Sequence, residues 1–205
     1  MNNYNDLKIA VSTLYYPLTI HGKYNSKWGN AIDCGIHKGQ HSLVYSTLFN
    51  NVTSIDAIIT PEAEKSLAQC DNVNVMKQCL FSCTGNSMTF YEPEESGALS
   101  TLYKSFLYHN IDDPKNITEH KVTTSMLDDI INTPVDFLKT DLEGADDAAL
   151  LGATELISKN RPTIVTDLHN HLIEKFLNNL DYEKYIHTEQ WCKDAIYFPR
   201  ELKCQ

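Results

Sequence analysis

The sequence predicts a doubly wound α/β fold, in which a mostly parallel sheet carries helices on both faces. Short apolar runs rich in β-branched residues alternate along the chain with helical patterns, which is typical of parallel strands joined by crossover helices. The 205 residues suit one folded unit, and no repeat or flexible linker divides them. We therefore predict one domain over residues 1–205, with a lead-in at 1–29 and the folded core at 30–205.

The first part of the chain supplies three strands and two helices. The strands are predicted at Asn30–Cys34, Val52–Ile58 and Val73–Gln78. A helix is predicted at His41–Phe49, between the first two strands. The next helix begins at Thr60-Pro61-Glu62, because threonine is a favourable N-cap and proline fits the first helical turn.

A hairpin is predicted to follow the third strand. Cys79–Cys83 and Ser87–Tyr91 flank the residues Thr84-Gly85-Asn86, which favour a tight turn. The segment Glu92–Asn116 shows no clear period, so we predict irregular structure that folds over one end of the sheet.

The second part of the chain continues the alternation of strands and helices. Helices are predicted at Leu127–Ile131, Asp146–Lys159 and His171–Leu180, and strands at Val135–Leu142, Thr163–Leu168, Tyr185–Thr188 and Ala195–Phe198. The last two strands follow each other without a helix, which predicts an antiparallel hairpin at the C-terminal end of the sheet.

The charge and composition limit the classes of partner. The net charge is −10, and Arg161 and Arg200 are the only arginines, so the sequence lacks the basic stripe typical of nucleic-acid binding. No apolar run approaches the roughly 20 residues of a membrane span, and no secretory signal is recognisable at the amino terminus. The six cysteines form no CxxC pair and are interpreted as free thiols. We expect a cytoplasmic protein with a small-molecule partner and neither nucleic acid nor membrane as a partner.

A glycine-containing turn follows the first predicted strand. Asp33 ends an apolar strand, and Gly35 and Gly39 precede the next helix. Glycine lets the backbone approach a ligand closely, and the helix N-terminus offers N–H groups. The Asp33 carboxylate could bind an ammonium group, which S-adenosylmethionine has and NAD lacks. A tight turn without a ligand is the alternative interpretation.

A second cluster of charge lies at the end of the fourth long strand. Lys139, Asp141 and Glu143 alternate there, so an extended chain would place them on one face. Three charges on a central strand are costly unless they are paired or solvated, which favours a cleft at this point. A salt-linked strand end is the alternative.

Both motifs resemble those of the FkbM family of methyltransferases. Asp33-Cys34-Gly35 with Gly39 and Ser42 is similar to the family's first motif, although Ile36-His37 replaces its Ala-Asn pair. Residues 139–145 are similar to its K-I-D-V-E-G motif. The stretches Asn72–Phe90, Ser96–Leu102, Met126–Asp129 and Arg161-Pro162 also follow the family order. The resemblance covers roughly residues 30–185.

The resemblance implies a Rossmann-like class I methyltransferase fold with seven strands and S-adenosylmethionine as the methyl donor. It also implies O-methylation of a small hydroxylated or sugar-like acceptor. Asp33, Gly35 and Gly39 would surround the methionine part of the donor. Asp141 and Glu143 would lie beside the transferred methyl group, and together with Lys139 on the same strand they are the expected catalytic residues.

The sequence departs from the family at the residue that holds the donor's ribose. The family has a Glu-Pro pair after the second strand, and alignment on Pro61 places Ile59 or Thr60 there instead. A second register makes Asp56 the ribose ligand, and we favour it. Asp56 follows Gly39 by a plausible helix-plus-strand distance.

Three further side chains have open interpretations. Gln78 could pair with the adenine edge or lie on the surface, and His37 could contact donor or acceptor or face water. His169 could be a general base, could bind a divalent metal together with Asp141 and Asp167, or could cap the next helix. No metal is predicted as a resident cofactor.

Other functions remain open at this stage. The altered glycine turn and the missing Glu-Pro pair fit a catalytically weakened binding or regulatory module. A nicotinamide-dependent oxidoreductase would need the G-x-G-x-x-G pattern, which the chain lacks. A metal-dependent hydrolase could use the acid and histidine cluster. The sequence does not indicate the oligomeric state.

Overall fold

The computed structural model describes residues 28–94, 97–112, 114, 116–167, 171–186 and 194–201. The strands in these ranges are β1 (Trp28–Cys34), β2 (Phe49–Asp56), β3 (Val73–Lys77), β4 (Cys79–Leu80), β5 (Ser87–Pro93), β6 (Ile117–Ser125), β7 (Phe137–Thr140), β8 (Thr163–Asp167), β9 (Tyr182–Ile186) and β10 (Asp194–Pro199). The helices are α1 (Gln40–Leu48), α2 (Pro61–Leu67), α3 (Lys104–Asn110), α4 (Leu127–Ile130), α5 (Asp146–Leu151), α6 (Thr154–Asn160) and α7 (His171–Asn179).

Seven of these strands form the main sheet, in the order β3-β2-β1-β7-β8-β10-β9. The neighbours from β3 to β8 pair in parallel, while β10 pairs antiparallel with both β8 and β9. This arrangement confirms the predicted Rossmann-like class I methyltransferase fold, including its antiparallel C-terminal strands. Because β1 and β7 are central, both motifs of the sequence lie at the middle of the sheet.

Side chains of the central strands alternate between two hydrophobic cores. Ala31, Phe137 and Val165 pack on one face with Tyr45 of α1 and with Phe49. Their sequence neighbours Ile32, Leu138 and Ile164 pack on the other face, together with residues of α5, α6 and α7. A strand buried on both faces needs apolar residues at consecutive positions, which explains the continuous apolar runs that predicted these strands.

A second, smaller sheet has the order β4-β6-β5, and it corrects the predicted hairpin. Cys79–Leu80 pairs in parallel with β6, and β5 pairs antiparallel with β6, so β6 separates the two segments expected to pair with each other. The residues of the expected turn also bond to β6, since Gly85 donates its N–H to the carbonyl of Thr124 (2.9 Å). Residues 117–125 are mostly polar, which concealed β6 in the sequence.

Where the structure describes it, the segment expected to be irregular contains helix α3 and a 3-10 turn at Gly97–Leu99. Thr101 holds this segment against the small sheet, because Tyr91 and Thr101 exchange two backbone hydrogen bonds of 2.8 and 3.0 Å. The residues between the turn and α3 therefore lie beside β5, and several of them face the carboxyl end of the main sheet.

The helix predicted at Asp146–Lys159 is divided into α5 and α6. At Gly152 an added Cβ would lie 2.3 Å from the carbonyl oxygen of Phe81, so the chain approaches the small sheet too closely for a side chain. The carboxylate of Asp128, on α4, then accepts the N–H groups of Glu155 (3.0 Å) and Leu156 (2.8 Å). This carboxylate caps a new helix start.

Candidate active site

A cavity of about 320 Å³ lies where the central strands of the main sheet end. Gly35 follows β1, Asp56 ends β2 and Asp141 follows β7, and all three line it. The small sheet and the segment after it supply the opposite wall, with Glu92 of β5 and Leu102 among the lining residues. Ligands of open α/β sheets bind at this edge, and the volume suits a small molecule.

Gly35 allows two chain segments to meet at the floor of the cavity. Its φ is +81°, and an added Cβ would lie 1.9 Å from the carbonyl oxygen of Asp141. Glycine is therefore required here by the backbone after β7, whether or not a ligand is present. Gly39 has φ +82° and is the N-cap of α1, but it packs against Leu67 rather than lining the cavity.

Asp56 holds the glycine turn in place from the end of β2. Its Oδ2 accepts the N–H groups of Ile36 (2.9 Å) and His37 (3.2 Å), and its Oδ1 accepts that of Ile58 (3.3 Å). Burial raises the pKa of Asp56, and these backbone hydrogen bonds reduce the rise. In the competing register Thr60 caps α2 and donates its hydroxyl to the carbonyl of His37 (2.9 Å). Asp56 thus places a carboxylate at the end of β2, and its role as ribose ligand stays a prediction.

Asp33 and Lys139 form a buried pair beneath the cavity. They are register partners on β1 and β7, with 3.6 Å between Lys139 Nζ and Asp33 Oδ1. The other Asp33 oxygen accepts the hydroxyl of Ser42 (2.6 Å), which itself accepts that of Ser54 (2.7 Å). Burial raises the pKa of Asp33, and the Lys139 charge and the Ser42 hydroxyl reduce this rise. Neither Asp33 nor Lys139 lines the cavity.

Asp141 is the member of this network whose carboxylate is exposed at the cavity surface. Its carboxylate lies 3.2 Å from Lys139 Nζ, and its side chain is 48% exposed whereas that of Lys139 is 1% exposed. Desolvation alone would lower the pKa of Lys139, but Asp141 and Asp33 outweigh it and raise that pKa. Desolvation alone would raise the pKa of Asp141, but the Lys139 ammonium favours the ionised carboxylate, so the pKa of Asp141 is lowered.

The expected grouping holds for Lys139 and Asp141, whose charged atoms lie 3.2 Å apart, but the extended chain does not continue to Glu143. β7 ends at Thr140, and the chain turns through Glu143 (φ +49°) and Gly144 (φ +96°). The Asp146 carboxylate accepts the N–H of Leu142 (3.2 Å) and so stabilises this turn. Glu143 still lines the cavity, and its carbonyl accepts the hydroxyl of Thr101 (2.7 Å). This bond joins the turn to the opposite wall.

Gln78 and His37 both line the cavity, as their positions after β3 and in the glycine turn suggested. The side-chain oxygen of Gln78 accepts the hydroxyl of Ser125 (2.8 Å), which fixes this amide against β6. His37 has a left-handed backbone with φ +47°. A non-glycine residue in this region is held there by its surroundings, here by Asp56 and Thr60.

A sequence model of the methyltransferase FkbM domain matches residues 33–195. The chain belongs to the FkbM methyltransferase family. This match spans every cavity-lining residue discussed above and confirms the resemblance seen in the sequence. No curated protein matches the chain.

Solved structures show the same fold at low sequence identity. The FkbM methyltransferase from Methylobacillus flagellatus KT is 16% identical with a TM-score of 0.52, and the match covers 96% of this chain and 57% of that protein. The METTL16 MTase domain is 12% identical with a TM-score of 0.52, over 94% and 68% of the two chains. SMU.1697c from Streptococcus mutans, solved in complex with SAH, is 12% identical with a TM-score of 0.50, over 90% and 96%. The chain thus spans a little over half of the FkbM structure.

The cavity fits S-adenosylmethionine, the cofactor expected for this family. Asp56 supplies a carboxylate at the end of β2, and Asp141 supplies one at the end of β7. Gly35 keeps the floor between them free of a side chain. Of the residues predicted to bind the donor, Gly35, His37, Asp56 and Gln78 line the cavity, while Asp33, Gly39 and Ser42 do not.

His41 also lines the cavity, and the sequence analysis missed it. It is the second residue of α1, its ring stacks on that of Tyr45 at 6.2 Å, and its Nε2 is buried without a hydrogen-bond partner among the described residues. Burial and the nearby Lys139 charge lower the pKa of His41 to about 3, so the ring is neutral near pH 7. Its position gave no signal, because a histidine near the start of a helix belongs to no motif that the sequence shows.

Some predictions fall outside the described residues. His169 does, so its suggested roles as base, metal ligand or cap stay predictions, and of Asp167 only the backbone is described. In the described part of the chain, no three His, Cys, Asp or Glu side chains lie close enough together to hold a metal ion. No helix described here is both long and apolar enough to cross a membrane.

Proposed function

We propose that this protein transfers the methyl group of S-adenosylmethionine to a hydroxyl oxygen of a small, sugar-like acceptor. The observation that carries the proposal is one cavity with Asp56 at its β2 end, Asp141 at its β7 end and the Gly35 turn between them. A donor bound over this turn would have Asp56 beside its nucleoside and Asp141 beside its transferable methyl group.

The contribution of the protein is mainly to hold two reactants in line. Bound in the cavity, S-adenosylmethionine would supply an electrophilic methyl group. Asp141 is ionised and half-exposed beside Lys139, so it can accept a hydrogen bond from the acceptor and orient its oxygen. Glu143 lies two residues further along the same turn and lines the same space. It is a second candidate to receive the hydroxyl proton.

The charges around the cavity favour an acceptor without phosphates. Glu92 joins the cavity to a second, open cavity of about 570 Å³, and Glu94 lines that one. Among the described residues that line the two cavities, none is lysine or arginine. A nucleic-acid backbone bound there would meet carboxylates without a compensating cation, whereas hydroxyl groups can donate hydrogen bonds to them.

Calorimetry and labelled methyl transfer test the proposal together. We expect S-adenosylhomocysteine to bind the wild-type protein, and Asp56→Asn to weaken binding about tenfold or more, because a charge-assisted hydrogen bond is lost. Asp141→Asn should retain binding of S-adenosylhomocysteine. With labelled S-adenosylmethionine and a cell extract as the source of acceptors, this variant should transfer on the order of 100-fold less label into small, dialysable molecules.

Other outcomes would contradict specific parts of the proposal. No heat with millimolar donor would favour a module that has lost donor binding. Label in the RNA fraction rather than the dialysable fraction would contradict the small acceptor. Unchanged methyl transfer by Asp141→Asn would remove the role given to that carboxylate.

A further inference from the structure

Glu92, on the small sheet, borders both the cavity at the main sheet and the second, open cavity beside it. Phe90 and Glu92 line the first of these cavities, and because they are two residues apart on β5 they project from the same face of that strand. Among the described residues, only Glu92 and Gly97 line both cavities, and Gly97 has no side chain. A ligand that extends from one cavity into the other therefore passes the Glu92 carboxylate.

His120 holds this carboxylate in a defined position. His120 on β6 is the register partner of Phe90, so its ring lies on the same face of the small sheet as Phe90 and Glu92. Its Nε2–H donates to Oε2 of Glu92 at 2.8 Å. The side chains of His120 and Glu92 are 31% and 32% exposed, so the pair is partly buried and still accessible to a ligand.

The hydrogen bond from His120 leaves most of the accepting capacity of Glu92 unused. A carboxylate offers about four lone-pair sites, and no other side-chain hydrogen bond joins Glu92 to the residues that the structure describes. Hydroxyl groups of a ligand can donate to the remaining sites. Because His120 already restricts the Glu92 side chain, little further conformational entropy is lost when a ligand binds.

We infer that the acceptor extends from Asp141 across the junction of the two cavities, and that Glu92, held by His120, binds those of its hydroxyl groups that are not methylated. This inference rests on the proposed function and adds a residue that determines acceptor specificity. Asp141 lines the first cavity from the end of β7, and Glu92 lines it from the opposite wall. An acceptor oxygen beside Asp141 thus leaves the rest of a sugar-like molecule free to reach Glu92.

Labelled methyl transfer at graded amounts of acceptor tests this inference. The dialysable fraction of a cell extract supplies the acceptors, and labelled S-adenosylmethionine is saturating. We expect Glu92→Gln to raise the amount of this fraction needed for half-maximal transfer about tenfold or more, because hydrogen bonds to a charged group are lost. The maximal rate and the affinity for S-adenosylhomocysteine should stay at the wild-type values, because Glu92 contacts neither the reacting oxygen nor the donor.

His120 is a positioning residue, so the effect of its substitution should depend on Glu92. His120→Leu should raise the half-saturating amount about threefold, and should add nothing further in the Glu92→Gln background. His120→Gln restores a side-chain N–H donor and should recover most of the wild-type value. A purely structural role of His120 would give the same loss in both backgrounds and no recovery with glutamine.

Glu119→Gln is the matched control, because it removes the same charge from the opposite face of β6. Glu119 pairs with Lys104 at 3.0 Å and lines neither cavity, so this variant should leave the half-saturating amount, the maximal rate and the donor affinity unchanged. Equal unfolding midpoints of all variants exclude misfolding as the cause of any difference.

The outcomes separate this inference from the proposed function. If the wild-type protein transfers no label to the dialysable fraction, the proposed function is wrong and this inference fails with it. If the wild-type protein does transfer label, but Glu92→Gln leaves the half-saturating amount unchanged or lowers only the maximal rate, the role of Glu92 is wrong while the proposed function stands. Loss of S-adenosylhomocysteine binding in Glu92→Gln would place this carboxylate at the donor and would equally overturn the inference.

Discussion

Lys139 is a buried lysine that holds two carboxylates at the centre of the main sheet. Its ammonium is 1% exposed and lies between Asp33 at 3.6 Å and Asp141 at 3.2 Å. A buried ion pair adds little stability relative to an apolar pair of the same shape, but removal of one partner leaves an uncompensated buried charge. The sequence indicated a catalytic role for Lys139. Its buried position between Asp33 and Asp141 instead indicates that it orients these two carboxylates.

Lys139→Met should therefore lower the free energy of unfolding by about 3–5 kcal/mol near neutral pH. The pKa of Asp33 is already raised by burial, and loss of the ammonium raises it further. The folded variant then binds a proton that the unfolded chain releases, so its stability falls as pH rises above the ordinary aspartate value of 3.8.

Urea unfolding at about pH 4.5 and about pH 8 measures this dependence. The stability deficit of Lys139→Met should be smaller at the lower pH. Lys104→Met removes an exposed lysine paired with Glu119 and should cost under about 1 kcal/mol at both values. A Lys139→Met deficit that is independent of pH would show that the carboxylates do not sense this ammonium.

The residues of the site were only partly predictable from the sequence. Gly35 and Asp141 follow predicted strands and Asp56 lies at the end of one, so their place at the sheet edge follows from the chain order. His41 could not be found in this way, because its place at the cavity depends on how α1 packs against the sheet, which no local pattern encodes. The burial of Lys139 was also hidden, since it depends on the register between β1 and β7.

The division between α5 and α6 shows how packing between elements overrides local helix propensity. Residues 146–159 have no proline, and Gly152 is their only glycine, so one continuous helix was expected. The close approach of Gly152 to the backbone of Phe81 stops α5, and Asp128 starts α6 from a different element. Neither interaction is local in sequence, and for this reason the sequence did not reveal the break.

Asp128→Ala should destabilise the protein by about 1 kcal/mol, because two N–H groups at the start of α6 lose their partner. Denaturant unfolding measures the change, with Asp71→Ala, in an exposed turn, as the control. Asp128→Asn keeps an accepting oxygen and should retain most of the stability. Equal losses for the Asp128→Ala and Asp71→Ala variants would mean that the cap contributes nothing.

The small sheet was the largest error at the level of elements. A strand pattern needs apolar alternation to be recognised, and Ile117–Ser125 consists mostly of threonine and charged residues. This strand is stabilised by pairing on both sides, with β4 and with β5. Pairing of this kind depends on segments that lie 24 to 45 residues away and cannot be read from the strand itself.

At the scale of the whole molecule, the seven strands of the main sheet and its antiparallel C-terminal end were predicted from the sequence, whereas the opposite wall of the cavity was not. A strand buried on both faces is recognisable from its continuous apolar run, and the resemblance to the family indicates which strands are neighbours. The opposite wall belongs to the small sheet and to residues 97–102. The hydroxyl of Thr101 ties this wall to the Glu143 turn of the main sheet. The cavity thus lies between two structural units that a ligand can bridge.

A ligand that bridges the two units should stabilise both of them. At a concentration 100 times its Kd, S-adenosylhomocysteine should add about 2.7 kcal/mol and raise the Tm by about 5–10 °C. If the small sheet is part of the binding site, the exchange of the Tyr91 and Thr101 amide hydrogens should slow along with that of the glycine turn. The amide hydrogens of β10 around Tyr197 report global stability, because Tyr197 does not line the cavity. If the Tm rises but the Tyr91 amide gains no more protection from exchange than the Tyr197 amide, the donor contacts the main sheet alone. The small sheet would then contact only the acceptor.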